Sequence, residues 1–123
     1  MAEDGKMLYI VDDSPLIIER IEALLEDSAS IRDIRSACSY PEAIKLLGEK
    51  EPDIVLLDIH LNERNGIDLL RYLRDAHPST TVIMLSNQAT AHYRSLCKAL
   101  GAAHFIDKST EFDDLPDLLA SLP

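Results

Sequence analysis

The sequence predicts an α/β fold: a doubly wound, five-stranded parallel sheet with helices on both faces. Short apolar runs of strand length alternate with longer stretches in which apolar residues recur at helical spacing. The run Ile54–Leu57 is continuously aliphatic, as expected for a central strand that is buried on both sides. Strands that alternate with helices form right-handed crossover units, and these place helices on both faces of one parallel sheet.

Five apolar runs have the length of strands. Ile54–Leu57 is bounded by Pro52 and Asp58, and the fourth run starts with β-branched residues, which favour strands. The second run is the weakest of the five. In chain order the predicted strands are Met7–Val11, Ile34–Cys38, Ile54–Leu57, Thr81–Leu85 and Ala103–Ile106.

Five further stretches carry apolar residues at helical spacing. Ser14-Pro15 is typical of a helix start and Gly101 of a helix stop. Pro116 lies in the first turns of the last stretch and favours a start later than Phe112. The predicted helices run from Ser14-Pro15 to Leu25, from Pro41 to near Gly48, from after Gly66 to before Pro78, over Ala91–Leu100 and over Phe112–Leu122.

Length and composition indicate one globular domain, which we expect to cover residues 1–123. Hydrophobic residues make up 46% of the chain, enough for one core without a disulfide or a structural metal. Cys38 and Cys97 are too few for a disulfide framework, and we interpret them as packing thiols of a cytoplasmic protein. No apolar run approaches the roughly 20 residues that span a bilayer, so no membrane partner is expected.

The charge balance limits the partners. Asp and Glu number 22 against 12 Lys and Arg, for a formal net charge of −10. This excess argues against direct binding to nucleic acid or to an anionic membrane. A small anionic substrate remains compatible with it, because a bound cation can reverse the sign of the field locally.

Polar residues follow the predicted strands at the points where the strands end. Asp12 and Asp13 follow the first strand, Asp58 the third, Ser86 the fourth, and Lys108 comes two residues after the fifth. Since ligands of open parallel sheets bind at the carboxyl ends of the strands, we expect these side chains to share one site. Three neighbouring carboxylates repel one another, so such a cluster either takes up protons or binds a cation.

These residue types fit one kind of chemistry. Oxygen ligands without His or Cys favour Mg²⁺ over Zn²⁺. A carboxylate can act as a nucleophile and form an acyl phosphate. The metal, a lysine and a hydroxyl group would then neutralise the oxygens of the transferred phosphoryl group.

Five segments carry a resemblance to a known family. In their order and spacing they resemble the receiver domains of bacterial response regulators, the phosphoacceptors of two-component signalling systems, over essentially the whole chain. The segments are Tyr9–Ser14, Pro52–Asp58, Gly66–Leu70, Val82–Ser86 and Gly101–Lys108. The resemblance implies a flavodoxin-like fold of the receiver type.

The resemblance also implies a role for each matching residue. Asp58 corresponds to the phosphoacceptor and, with Asp13 and the backbone carbonyl of His60, to the ligands of a Mg²⁺ cofactor. Asp12 corresponds to the residue that holds metal-bound water. Ser86 matches the hydroxyl that bonds a phosphoryl oxygen, and Lys108 matches the lysine that pairs with the phosphoryl group.

The implied output is a change of protein contacts, not turnover of a separate substrate. Phe105 matches the aromatic residue whose rotamer follows phosphorylation, with Phe here in place of Tyr. A histidine kinase or a phosphotransfer protein would supply the phosphoryl group, and a downstream protein or an output domain would read the change. The surface of the fourth helix, fifth strand and fifth helix is also a candidate homodimer surface. The sequence is compatible both with a stand-alone regulator and with a piece of a longer chain.

Three residues depart from the family pattern. Asn62 stands where proline is usual in the loop after Asp58, which is expected to loosen that loop. Ser109 follows Lys108 where proline is usual, so we expect a trans peptide between them, because a cis bond without proline costs about 2.5–4 kcal/mol. Asn87 follows Ser86 where a smaller residue is usual, and its bulk is expected to crowd the phosphoryl site.

Simpler interpretations remain open for the single residues. Asp12, Asp13 and Asp58 are also compatible with caps of following helices. Ser86 alone is compatible with a loop hydroxyl, and Lys108 alone with a surface charge. Phe105 is compatible with plain core packing. The ring of His60 lies near the acceptor in sequence and is a candidate influence on dephosphorylation.

Two other functions also remain open. A phosphatase with an aspartyl nucleophile, of the haloacid-dehalogenase type, needs a second acid two residues after Asp58, where this chain has His60. A pseudo-receiver that acts only as a binding module usually lacks one of the acids or the lysine, which this chain keeps. Asn87 and Ser109 are the features that favour it.

Overall fold

The computed structural model describes residues 5–61 and 64–122. In this part of the chain five strands alternate with five helices. The strands are β1 (Lys6–Val11), β2 (Ile31–Ala37), β3 (Ile54–Asp58), β4 (Thr81–Ser86) and β5 (His104–Asp107). The helices are α1 (Pro15–Leu25), α2 (Tyr40–Glu49), α3 (Gly66–Ala76), α4 (Ala91–Ala99) and α5 (Leu115–Ala120).

The strands form one parallel sheet in the order β2-β1-β3-β4-β5. The order reverses at β1, whose two neighbours in the sheet are β2 and β3, and this is the point where open α/β sheets bind ligands. The doubly wound, five-stranded parallel sheet predicted from the sequence is therefore confirmed.

Two apolar layers, one on each face of the sheet, hold the fold together. Alternate residues of each strand point to opposite faces. Tyr9, Leu57 and Met84 pack on the face covered by α2, α3 and α4. Leu8, Leu56 and Leu85 pack on the face covered by α1 and α5. All five residues of β3 are buried, as predicted for a central strand.

Four of the five helices start at a residue whose side chain caps the first turn. Ser14, Ser39, Asn65 and Thr90 each accept a hydrogen bond from a backbone N–H of the following turn. These caps satisfy N–H groups that have no partner within the helix. They fix where each helix leaves the sheet edge, and so they fix the walls of the cleft at that edge.

The second strand and the last helix need the largest corrections. The second strand spans Ile31–Ala37 instead of Ile34–Cys38. It is an edge strand, and the side chain of Arg32 faces solvent. Exposed polar residues interrupt the hydrophobic pattern, so the pattern does not show where the strand begins.

The last helix does not run from Phe112 to Leu122. A 3₁₀ turn covers Phe112–Asp114, and α5 covers only Leu115–Ala120. An α-helix through Phe112 would set its carbonyl against the ring of Pro116, four residues on, so the regular helix starts later. The later start indicated by Pro116 is therefore confirmed.

The fifth strand is shifted by one residue, to His104–Asp107, and α3 includes Gly66. Asn62 lies outside the described residues, so the expectation for its loop is left as a prediction. Within residues 5–61 and 64–122, none of the helices is both long and apolar enough to cross a membrane. Both cysteines are free thiols; Cys97 is buried and Cys38 is partly buried.

Candidate functional site

Three carboxylates meet at the carboxyl edge of the sheet. Val11 pairs with Leu57 across β1 and β3, so the next residues, Asp12 and Asp58, lie side by side at the carboxyl ends of these strands. Asp12, Asp13 and Asp58 can each place a carboxylate oxygen within 4.8 Å of the other two. The predicted convergence of the acids is therefore present, and it follows from the register of two neighbouring parallel strands.

Lys108 lies against two of these carboxylates. Its Nζ is 2.7 Å from Asp12 Oδ2 and 3.4 Å from Asp58 Oδ2. The side chain is almost buried, and the Lys108 backbone N–H donates to the carbonyl of Ser86 at 2.9 Å. The ammonium group thus offsets part of the charge of the acid cluster. The bond to Ser86 fixes the backbone of Lys108 at the end of β4.

Burial of Asp58 works against its ionisation. The side chain is nearly inaccessible to solvent, and desolvation raises the pKa of Asp58 above its ordinary value. The charge of Asp12 raises that pKa further, whereas Lys108 and the backbone N–H of His60 lower it. The net direction is upward, because the desolvation cost of the buried carboxylate outweighs the attraction of Lys108.

Ser86 ends β4 and is fully buried beside the acids. Its Oγ accepts a hydrogen bond of 2.9 Å from the backbone N–H of Gln88. The residues that line the cleft include Asn87 and Gln88 but not Ser86. The Ser86 hydroxyl therefore lies next to the site and is bonded to the loop that follows β4.

The His60 side chain belongs to the rim of the site. Its Nε2 is 3.2 Å from Gln88 Oε1, and its ring meets the ring of Tyr93 edge to face at 6.0 Å. The His60 backbone N–H is 3.3 Å from Asp58 Oδ1. His60 is therefore bonded to the Asp58 carboxylate through its backbone and to the loop after β4 through its ring.

The cleft above the acids has a volume of about 470 Å³. This space accommodates a small anion such as a phosphoryl group with its ligands. The residues around it are Asp12, Asp13, Ser14, Ile17, Asp58, His60, Asn87, Gln88 and Lys108. Asn87, predicted to crowd the site, does line the cleft, with an exposed side chain.

The donor set fits a hard divalent cation. Asp12, Asp13 and Asp58 offer carboxylate oxygens that converge, and such oxygens are the preferred ligands of Mg²⁺. Two of these acids are buried with only one lysine nearby, so a cation would relieve their repulsion.

Phe105 lies away from the cleft. It is half-buried on β5 and lines a groove of about 320 Å³ between α4 and β5. The guanidinium group of Arg94 is 5.1 Å from the centre of its ring, a cation–π contact. The structure thus assigns Phe105 to the α4–β5 surface, while the other predicted site residues gather around the acids.

Comparison with known proteins identifies the family. Residues 8–120 match the family model described as "Response regulator receiver domain". The chain belongs to the response regulator receiver family. The resemblance predicted from the five sequence segments is therefore confirmed.

Curated relatives of this receiver are longer proteins. It is 33% identical over 112 residues to the response regulator protein PilR of Pseudomonas aeruginosa, a match that covers 91% of this chain and 25% of PilR. It is 32% identical over 110 residues to a protein-glutamate methylesterase/protein-glutamine glutaminase of Idiomarina loihiensis, covering 88% of this chain and 28% of that protein. The receiver thus spans about a quarter of either relative.

Solved structures of other receivers share the fold. The receiver domain of the Francisella response regulator 1452 has a TM-score of 0.84 at 24% identity, covering 94% of each chain. A Burkholderia pseudomallei response regulator with a phosphorylated aspartic acid, a calcium ion and citrate has a TM-score of 0.82 at 22% identity. That match covers 95% of this receiver and 68% of the Burkholderia chain.

The sequence analysis did not assign two residues, Gln88 and Gly66, to the receiver site. Gln88 lines the cleft and bonds both His60 and Ser86, and no sequence pattern distinguishes it from any other loop glutamine. Gly66 was noted only as a helix start. A Cβ at Gly66 would lie 2.0 Å from the backbone oxygen of Asp58, so the α3 start packs directly on the backbone of Asp58.

Asp58→Asn is expected to stabilise the metal-free protein at neutral pH, by roughly 1 kcal/mol, the scale of most single substitutions. A carboxyl whose pKa is raised on folding binds more protons in the folded than in the unfolded state. The free energy of unfolding therefore falls as pH rises from the unfolded value, about 3.9, through the folded one. Asparagine removes this cost.

Urea denaturation at pH 7 with a chelator measures this effect. Asp75→Asn, which changes an exposed carboxylate on α3, is the matched control and should leave the midpoint unchanged. A lower midpoint for Asp58→Asn would mean that Asp58 contributes more by pairing with Lys108 than it costs by desolvation.

Proposed function

We propose that this receiver accepts a phosphoryl group on Asp58 in a Mg²⁺-dependent reaction. The observation that carries the proposal is the Lys108 Nζ, which lies within 3.4 Å of Asp58 and 2.7 Å of Asp12 in a cleft lined by Asp13. A nucleophilic carboxylate, a second and third acid for a cation and a fixed ammonium group are the parts this reaction needs.

The metal belongs to the same proposal. Asp13, Asp58 and the backbone carbonyl of His60 would hold Mg²⁺, and Asp12 would hold a metal-bound water. When bound, the ion would neutralise charge on the carboxylates and on the phosphoryl oxygens. The converging acids, two of which are buried, support this assignment.

The transfer is a displacement at phosphorus. A carboxylate oxygen of Asp58 forms a bond to phosphorus while the bond between phosphorus and the donor's nitrogen or oxygen breaks. The electron pair leaves with the donor atom, which is a nitrogen of the phosphohistidine of a histidine kinase or of a phosphotransfer protein, or an oxygen when acetyl phosphate is the donor. Lys108 would neutralise one phosphoryl oxygen, and Ser86, whose Oγ accepts from the N–H of Gln88, would donate its hydroxyl to another.

The output is a changed protein-contact surface on α4 and β5. Between Asp75 and Asp107 the sequence contains no Asp or Glu, although the whole chain has a net charge of −10. The groove beside Phe105 is flanked by Arg94, Lys98 and His104. These basic side chains border a groove in a strongly acidic protein, so an acidic surface of a downstream protein or output domain fits it.

The proposal also covers the bounds of the domain and the cellular compartment in which it acts. We assign residues 1–123 to one receiver domain, supported by a family match over residues 8–120. The chain spans between 25% and 54% of the length of the first curated relatives, so an attached output domain and a separate partner are both compatible. A cytoplasmic site of action is supported by the two free cysteines.

The proposal predicts that acetyl phosphate adds one phosphoryl group to the protein only when Mg²⁺ is present. Intact-protein mass spectrometry measures the addition, with and without a chelator. Asp58→Asn should abolish it, whereas Asp75→Asn, an exposed carboxylate, should leave it unchanged. If wild-type protein gains no mass and a titration detects no bound Mg²⁺, the pseudo-receiver that acts only as a binding module becomes the better account.

A further inference from the structure

The turn that carries Lys108 is built by side-chain hydrogen bonds. Asp107 Oδ1 accepts 2.8 Å from the backbone N–H of Ser109 and 2.6 Å from the Ser109 hydroxyl. This arrangement closes a three-residue turn of the Asx type, with Lys108 at its centre. The Lys108–Ser109 peptide is trans, as predicted, since the described residues include no cis bond.

A second carboxylate fixes the start of the same turn. Glu111 Oε1 accepts a hydrogen bond of 2.9 Å from the backbone N–H of Asp107 and one of 3.0 Å from Nη2 of Arg94 on α4. The Glu111 backbone N–H donates to the Asp107 carbonyl at 2.8 Å. Both backbone polar groups of Asp107 are therefore bonded to one residue, and α4 is tied to it.

These bonds are important because the same turn carries the Lys108 side chain, which extends to the acids. The backbone of Lys108 is fixed by one bond to the Ser86 carbonyl, and its side chain extends to Asp12 and Asp58. A lysine side chain has a flexible four-carbon stem, so the position of its ammonium group depends on a fixed backbone. The side chains of Asp107 and Glu111 supply that fixation without touching the acids.

We propose that Asp107, Ser109 and Glu111 are positioning residues for Lys108. They act through Lys108 on the phosphoryl transfer assigned above, so this inference rests on the proposed function. In this chain a proline does not stiffen the position after the lysine, and the hydrogen bonds of Asp107 and Glu111 take that role.

The main test compares Asp107→Ala with wild type in the rate of phosphorylation by acetyl phosphate at saturating Mg²⁺. Loss of both bonds to Ser109 should slow the reaction by roughly 10- to 100-fold, the scale expected when a reacting group is misplaced by up to about 1 Å. The Mg²⁺ dissociation constant should stay within about twofold, because no proposed ligand changes. Asp107→Asn keeps an acceptor oxygen and should restore the rate.

Two further comparisons separate positioning from a general structural effect. Asp107→Ala should cause no additional loss in a Lys108→Ala background, because the two residues act as one unit. Ser109→Ala should fall between wild type and Asp107→Ala, and Ser109→Thr should match wild type. Asp113→Ala, an exposed carboxylate in the following 3₁₀ turn, is the control and should leave the rate unchanged.

A direct readout of Lys108 does not depend on phosphorylation. Nitrogen-15 NMR of the lysine ammonium groups should show one slowly exchanging Nζ signal, lost in Lys108→Ala and rapidly exchanging in Asp107→Ala. An unchanged Nζ signal in Asp107→Ala, or a further loss of rate in the double variant, would overturn the positioning role. If wild type takes up no phosphoryl group, the proposed function fails, and the Nζ signal alone still decides the positioning role.

Discussion

Lys108→Ala is expected to lower the free energy of unfolding by about 3–5 kcal/mol in the absence of metal. The Lys108 ammonium group is almost buried and lies 2.7 Å from Asp12, which is fully buried. Removing one partner of a buried ion pair is strongly destabilising, because the remaining charge has neither water nor a counter-ion. Here the substitution leaves two such carboxylates, Asp12 and Asp58.

The same variant separates stability from chemistry. Mg²⁺ should restore part of the lost stability, because a cation among the carboxylates replaces the missing ammonium charge. The rate of phosphorylation by acetyl phosphate should still fall by about 100-fold or more, the usual cost of removing one group that stabilises developing charge.

Urea denaturation and mass spectrometry measure the two effects of Lys108→Ala. Lys45→Ala, an exposed lysine on α2, is the matched control and should change neither. Wild-type stability for Lys108→Ala would contradict the ion pair, and a wild-type rate would exclude Lys108 from the reaction.

Gly66→Ala is expected to destabilise the protein and to displace Asp58, the proposed phosphoacceptor. A Cβ at this position would lie 2.0 Å from the backbone oxygen of Asp58 and 3.1 Å from Cα of Ile59. Both neighbours are backbone, so neither can rotate away, and the start of α3 or the end of β3 has to move. Overpacking of this kind costs about 1–3 kcal/mol, and the Asp58 backbone shifts with it.

Gly48→Ala is the matched control for this prediction. Gly48 lies in α2, and a Cβ there would meet no described atom within 4 Å apart from its chain neighbours and the backbone of its own helix. Alanine in a helix is favoured over glycine by about 0.5–1 kcal/mol, so this variant should be slightly more stable than wild type. Denaturation curves give both values, and phosphorylation rates should fall only for Gly66→Ala. Equal stability of the two variants would show that the α3 start does not pack on Asp58 as described.

The sequence predicted those parts of the fold and site that depend on the hydrophobic pattern of the strands and on the residues at the strand ends. Ile54–Leu57 could be assigned because a strand buried on both faces needs apolar residues at every position. Asp12, Asp58 and Lys108 could be placed together because they follow strands whose carboxyl ends meet at one edge. Parallel topology alone brings such residues into contact.

The parts that the sequence did not predict depend on contacts between loops. Gln88 belongs to the site through its bonds to His60 and Ser86. No local sequence pattern predicts these bonds. For Ser109 the sequence predicted only a trans peptide after Lys108. The bond of Ser109 to Asp107 shows how the turn is closed, a detail that requires coordinates. The start of β2 was missed because exposed residues of an edge strand carry no hydrophobic signal.

The measurement that tests the central claim most directly is the position of the phosphoryl group. The protein would be phosphorylated with acetyl phosphate and Mg²⁺, reduced at once with borohydride, digested and sequenced by mass spectrometry. Borohydride converts an aspartyl phosphate to homoserine, and the account predicts homoserine at residue 58 alone, only when Mg²⁺ is present. Homoserine at residue 12 or 13, or phosphorylation on any other side chain, would contradict it.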